Sequence, residues 1–133
     1  AEGRLEPGLP PGGFYVPPIL VAEVPQDDEL AREEIFGPVL VALPFADEAD
    51  ALRLAEDTEF GLVAGIWTAD IGRAMRLSRR LKCGQVYINN FGAGGGVELP
   101  FGGRKMSGHG REKGLEALYG FGALKTISIQ HGS

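Results

Sequence analysis

The chain has 133 residues, a mass of 14.1 kDa and a formal net charge of −5. This length allows one ordinary domain or part of a larger one, and the 44% of hydrophobic residues excludes a disordered chain. The acidic charge argues against a nucleic-acid-binding protein. No apolar run approaches the roughly 18 residues that a membrane-spanning helix needs, so we expect no membrane contact.

Strands and helices alternate along the chain in the predicted order β-α-β-α-β-α-β-loop-α-β. The predicted strands are short apolar runs: Ile19–Ala22, Val39–Leu43, Leu62–Trp67, Val86–Asn89 and Leu124–Gln130. The predicted helices follow a capping Asp or the glycine-rich loop: 27–34, 47–60, 70–82 and 112–119. This alternation implies right-handed crossovers and a mainly parallel sheet with flanking helices, which is an α/β fold.

Two of these elements carry finer expectations. Val39–Leu43 is continuously apolar, as is typical of a strand covered on both faces. The helix that Asp70 caps has a stripe of apolar and small residues on one side and arginines around it. We expect Lys82 in its last turn and Gly84 just beyond its end.

The string Glu33–Val39 contains the first candidate binding residues. If the backbone is extended there, Glu34 and Phe36 project to one side. A carboxylate can accept hydrogen bonds from both hydroxyls of a ribose, and a phenyl ring nearby can pack on a flat heteroaromatic ring. The plainer interpretation, a helix end, a turn and a core phenylalanine, is favoured by spacing alone.

A second string, Asn89–Glu112, holds much of an unusual glycine content. Glycine makes up 21 of the 133 residues, about twice its usual share of near 7%. The string matches neither a phosphate-binding loop nor the six-residue dinucleotide fingerprint. The alternatives are a long irregular loop and a functional loop, and its length favours function.

Four strings, in this order, resemble motifs of the C-terminal part of the catalytic domain in NAD(P)-dependent aldehyde dehydrogenases. They are Glu33–Val39, Gly61-Leu62 before a strand, Pro100–Gly103 and Lys105–Glu112, and the closing strand with Lys125-Thr126 also matches. The resemblance runs from Gly13 to about Gln130. It implies a partial catalytic domain over 14–122 and an oligomerisation strand with a tail over 123–133. Residues 1–13, with four glycines and three prolines, are expected to form a flexible lead-in.

The resemblance also implies roles for individual residues. Glu34 matches a glutamate that binds the nicotinamide ribose hydroxyls, and Phe36 matches a phenylalanine beside the nicotinamide ring. Phe101 matches an aromatic residue of the aldehyde tunnel, and Phe91 is expected on the same wall. Glu112 matches a glutamate linked to the proton path of the general base, with an exposed acid at a helix N-terminus as the alternative.

The chemistry that the family implies needs groups that this chain lacks. A cysteine thiolate attacks the aldehyde, hydride passes from the thiohemiacetal to NAD or NADP, and a glutamate-activated water hydrolyses the thioester. The segments with that cysteine, that glutamate and the dinucleotide-binding units would precede residue 1. We expect no catalytic residue in this chain and no activity of the chain alone. Cys83 is not expected to substitute, because a helix C-terminus disfavours a thiolate.

The predicted protein is therefore the C-terminal part of an aldehyde-oxidising enzyme. It would form a homo-oligomer through residues 124–130, where side chains alternate as in a strand added to a partner's sheet edge. The alternative is a non-catalytic nucleotide-binding or oligomerisation module derived from the family. One cysteine and two histidines exclude a zinc site and fit a reducing cytoplasm.

Overall fold

The computed structural model of the protein describes residues 1–91 and 96–132, and its contacts group into two units, Ala1–Glu59 and Phe60–Ser133. Both units combine a parallel pair of strands with helices. The predicted α/β class is therefore confirmed. The boundaries predicted at residues 13 and 122 stay predictions, although residues 1–3 already pair with the first strand.

The first unit is a two-stranded parallel sheet with two helices. Its elements are β1 (Ile19–Ala22), α1 (Glu29–Arg32), β2 (Val39–Ala42) and α2 (Glu48–Glu56). Asp28 and Asp47 cap the two helices by accepting backbone N–H groups. α1 is shorter than predicted and ends at Arg32, because Glu33 turns to an extended backbone with ψ of 149°.

The β1–β2 sheet has one exposed face, so the prediction that Val39–Leu43 is covered on both sides is wrong for this chain. Val39 and Val41 are half-buried, whereas Leu40 is 67% exposed and pairs across the sheet with the exposed Leu20. Within the first unit no helix lies over that face with more than marginal contact. The apolar run therefore forms a sheet surface that no other part of this unit covers.

The second unit holds a parallel pair, a short antiparallel pair and two helices. Its elements are β3 (Phe60–Gly61), β4 (Val63–Ile66), α3 (Ile71–Arg80), β5 (Gln85–Ile88), β6 (Arg104–Lys105) and α4 (Gly114–Gly120). β4 and β5 run parallel, and β3 pairs with β6 in the antiparallel sense. The described strands form three two-stranded sheets, two parallel and one antiparallel, which agrees with the predicted mainly parallel pairing. β3 and β6 are too short to show a sequence pattern.

The end of α3 differs from the prediction. Asp70 caps its N-terminus as expected, by accepting from the Arg73 N–H. The helix stops at Arg80, and Leu81 is already extended with ψ of 127°, so Lys82 lies outside the last turn. Gly84 is not a helix-ending residue, because its N–H instead donates to the carbonyls of Gly61 and Leu62.

The chain leaves much apolar surface uncovered. Its four buried hydrophobic residues are Leu52, Ile66, Ala74 and Ala117, counted over the described positions. It exposes 10739 Å², against about 6,700 Å² expected for a folded monomer of this mass. The apolar faces of both units are therefore available for further packing. Within residues 1–91 and 96–132, no helix has the length and hydropathy to cross a membrane.

Candidate functional site

The first candidate site is a bend between α1 and β2 that carries Glu34 and Phe36. The Gly37 N–H donates to the Ile35 carbonyl at 2.6 Å, and the Val39 N–H donates to the Gly37 carbonyl at 2.8 Å. These bonds fold the backbone tightly on both sides of Gly37. The bend at Phe36–Pro38 replaces the extended backbone that the sequence allowed.

Both side chains at this bend face solvent. Phe36 is 96% exposed, so the interpretation of a core phenylalanine does not hold in this unit. Glu34 is exposed as well. In the part of the chain that the structure describes, Glu34 makes no side-chain hydrogen bond and no ion pair. A carboxylate and a phenyl ring are thus held close in sequence with no partner inside the unit.

A polar network fixes the helix that leads into this bend. Asp57, at the end of α2, accepts from Gln26 at 2.5 Å and forms an ion pair with Arg32 at 3.1 Å. Gln26 in turn accepts from Arg53 on α2 at 2.5 Å. These bonds tie both ends of α1 to α2. The position of Glu34, two residues beyond α1, is therefore set by α2 as well as by its own turn.

The second candidate site follows β5 and starts with an asparagine that extends the strand pairing. Asn89 has a left-handed φ of 50°, which asparagine tolerates better than most residues. Its amide group donates to the Thr68 carbonyl and accepts from the Thr68 N–H, both at 2.8 Å. Phe91 follows and is 83% exposed. The glycine cluster at 92–95 lies outside the described residues.

Phe101 and Glu112 are brought together by their backbones. Each N–H donates to the other residue's carbonyl at 2.6 Å, which forms an isolated antiparallel bridge. The Gln85 side chain also donates to the Pro100 carbonyl at 2.9 Å. The Pro100–Gly103 motif is therefore tied to β5 on one side and to the Lys105–Glu112 motif on the other.

Glycines allow the backbones of these loop segments to approach each other closely. A Cβ on Gly84 would overlap the Gly102 carbonyl oxygen, and a Cβ on Gly103 would overlap the Ser107 carbonyl. Ser107 itself accepts the Gly61 N–H through Oγ at 3.0 Å. The glycine excess thus serves backbone packing around Phe101 at these positions.

Glu112 lies outside α4, which begins at Gly114. It is exposed, directly precedes the N-cap residue of α4 and is held through its backbone, so both interpretations of Glu112 stay open. Lys113 is the N-cap residue and offers no side-chain cap. Its ammonium group lies 5.6 Å from the centre of the Phe101 ring. No local sequence pattern predicts this contact, because the two residues meet only through the Phe101–Glu112 bridge.

Cys83 and the C-terminal segment complete the predicted positions. Cys83 is half-buried, and its Sγ donates to the Gln85 carbonyl at 3.1 Å. Residues 124–130 are exposed and form no regular strand in the described chain. A strand that adds to a partner's edge has no edge to pair with in a single copy, so this assignment stays a prediction. Across 1–91 and 96–132, no group of three or more His, Cys, Asp or Glu residues is arranged to hold a metal ion.

Comparison with known proteins decides the family. The model of the aldehyde dehydrogenase family matches residues 1–127. The chain belongs to the aldehyde dehydrogenase family. This match confirms the resemblance that the four sequence motifs indicated.

Individual aldehyde dehydrogenases agree with this assignment. The chain is 52% identical over 112 residues to the NADP/NAD-dependent aldehyde dehydrogenase PuuC of Escherichia coli K12. The matched region covers 84% of this chain and 22% of that protein. It is 45% identical over 120 residues to a betaine aldehyde dehydrogenase of Brucella anthropi, covering 90% and 24%.

Solved aldehyde dehydrogenase structures have the same fold. A protein of Burkholderia cenocepacia assigned to these enzymes superposes with a TM-score of 0.89 at 63% identity, over 99% of this chain and 28% of that one. The indole-3-acetaldehyde dehydrogenase of P. syringae, solved with NAD+, gives 0.83 at 42% identity, over 90% and 24%. The chain thus spans about a quarter of the length of the relatives it matches.

Proposed function

We propose that this segment supplies one wall of the cofactor site and one wall of the aldehyde tunnel in an enzyme that oxidises an aldehyde to a carboxylic acid with NAD or NADP. The exposed pair at the α1–β2 bend carries the proposal. Phe36 is 96% exposed beside a glutamate with no partner inside its unit. Burying a phenyl ring gives a favourable free energy, so Phe36 would be stabilised by packing against a flat ligand ring.

The residues at the bend fit the nicotinamide half of such a cofactor. The Glu34 carboxylate can accept hydrogen bonds from two neighbouring ribose hydroxyls, and charge-assisted bonds of this kind are among the stronger ones. The flat Phe36 ring can pack against the nicotinamide ring and exclude water from it. When bound, NAD or NADP would accept the hydride. The chain's own contribution is to bind and orient that ring.

The second unit is proposed to contribute to the aldehyde tunnel. Phe101 is half-buried, and its two backbone hydrogen bonds to Glu112 suit a rigid apolar wall. Phe91, exposed after β5, is assigned to the same wall. Glu112 is bonded directly to the Phe101 backbone, and we assign it to the proton path of the general base.

The 133-residue chain is proposed to be inactive by itself. Its one cysteine, Cys83, is half-buried and already donates to a backbone carbonyl, so it is poorly placed to attack a substrate. NADH production from simple aldehydes by the purified 133-residue chain would contradict this assignment. The rival non-catalytic module predicts measurable NAD affinity in the same chain, weakened by Glu34→Gln.

Assembly and location follow as further proposals. We assign residues 124–130 to pairing with a second copy, since their exposed apolar side chains, including Leu124, Ile127 and Ile129, have no cover in one chain. A cytoplasmic location fits a chain with one cysteine.

Two adjacent glutamates provide the test of the cofactor assignment. In the dehydrogenase polypeptide that carries this segment, Glu34→Gln is expected to raise the KM for NAD+ by about tenfold or more, as expected for loss of a charge-assisted bond. Glu33→Gln is the matched control, because Glu33 is exposed next to it and caps α1 only through its backbone. Equal effects of the two variants on NAD+ would refute the assignment.

A further inference from the structure

Lys113 covers one face of Phe101. Its ammonium nitrogen lies 5.6 Å from the ring centre, within the distance at which a cation is attracted to an aromatic face. Over the described residues, Lys113 makes no ion pair that would draw its charge elsewhere. The contact therefore places a positive charge on the ring that we assign to the aldehyde tunnel.

The backbone holds Lys113 in a conformation that a lysine rarely adopts. Its φ of 60° and ψ of 178° fall in a region used almost only by glycine. The residues on both sides fix it there. Glu112 is bonded twice to Phe101, and the Gly114 N–H donates to the Val97 carbonyl at 2.6 Å. Such conformations persist where the surrounding structure over-determines them, and they concentrate at binding sites.

We propose that Lys113 sets the charge preference of the aldehyde tunnel, disfavouring substrates with a quaternary ammonium group and favouring those with a carboxylate. Aromatic faces are the usual binding surface for quaternary ammonium groups. Here the lysine ammonium occupies that face and repels a second cation. The inference rests on the proposed role of Phe101 and adds the substrate class to it.

The nearby charges limit the size of the effect. Arg111 donates to the Gly103 carbonyl, and the exposed Glu112 adds a negative charge next to Lys113. Two unit charges about 6 Å apart in water change an equilibrium by about threefold, and more as the tunnel excludes water. We therefore expect a change in charge preference of about threefold when the Lys113 charge is removed.

The experiment compares three aldehydes of matched length in the dehydrogenase polypeptide that carries this segment: one with a trimethylammonium group, one neutral and one with a carboxylate. Lys113→Gln is expected to raise the ratio of kcat/KM for the cationic to the neutral aldehyde by about threefold, and Lys113→Glu by more. Arg79→Gln removes one positive charge from the exposed side of α3 and should leave the ratio unchanged. A ratio that does not differ from the Arg79→Gln control would overturn the inference.

Two further variants separate the possible failures. Lys113→Gly removes the ammonium group and suits the positive φ, so it should reproduce the effect of Lys113→Gln even if the glutamine variant folds poorly. Phe101→Leu tests the tunnel assignment itself and should raise the KM for all three aldehydes. If it leaves every KM unchanged, the tunnel assignment fails. If it raises them while the Lys113 variants leave the charge ratio unchanged, only the inference about Lys113 fails.

Discussion

The close approach of Gly84 and Gly102 lets the segment that carries Phe101 lie against the start of β5. A Cβ on Gly84 would overlap the Gly102 carbonyl oxygen and come within 2.8 Å of its carbonyl carbon and 3.2 Å of the Leu62 carbonyl oxygen. All three atoms belong to the backbone, so no side-chain rotation relieves the overlap. Gly84→Ala therefore forces the Phe101 loop away from β5.

The expected loss of stability is about 1–2 kcal/mol. Forcing an extra carbon into a packed site costs about 1–3 kcal/mol, and the lower entropy of the unfolded alanine chain offsets about 0.4–1 kcal/mol of it. With an m value near 2 kcal/mol/M, the urea midpoint should fall by roughly 0.5–1 M.

Urea unfolding followed by circular dichroism measures this change. Gly120→Ala in α4 is the matched control, because a Cβ there meets no atom within 4 Å, and its midpoint should stay the same or rise. A Gly84→Ala midpoint equal to that of the parent would show that the two backbones do not meet as described.

Two other predictions concern local hydrogen bonds, and a third concerns oligomer assembly. A hydrogen bond from the Arg73 N–H lowers the pKa of Asp70 below its ordinary value of 3.8. The stability that the Asp70 carboxylate contributes to α3 is therefore present above pH 3.8 and is lost as the pH falls through the lowered pKa. Asp70→Ser caps the helix without titrating, so its helicity measured by circular dichroism should not show this loss. Asn89→Ala removes two hydrogen bonds to Thr68 and should lower the free energy of unfolding by about 1–2 kcal/mol, whereas Asn90→Ala should not. Deleting residues 124–133 should reduce the oligomer size measured by light scattering, and a parent that is monomeric at all concentrations would contradict the proposed pairing.

Features set by neighbouring residues were predictable from the sequence. Asp47 and Asp70 cap their helices as expected, because a cap needs only a short polar side chain and the N–H groups three residues later. β1 was also predicted with its correct bounds, since prolines limit its apolar run. The four motifs identified the family, which the comparisons confirm.

Features that depend on distant residues were not predictable. The end of α3 was misplaced because Gly84, which reads as a helix-ending glycine, is needed instead for the approach of Gly102. The Lys113 contact depends on the bridge between Phe101 and Glu112, which no local pattern shows. Likewise, sequence spacing alone favoured a core role for Phe36, because burial is a property of the folded unit.

The most direct test of the cofactor assignment is a double-mutant cycle between Glu34 and the nicotinamide ribose. It compares the KM for NAD+ with that for an analogue lacking the hydroxyls of that ribose, in the parent dehydrogenase and in Glu34→Gln. If Glu34 binds those hydroxyls, replacing NAD+ by the analogue raises the KM of the parent about tenfold. The same replacement raises the KM of Glu34→Gln only slightly. If the Glu34→Gln substitution and the loss of the hydroxyls instead raise the KM by independent factors that multiply, a direct bond between Glu34 and the ribose is contradicted.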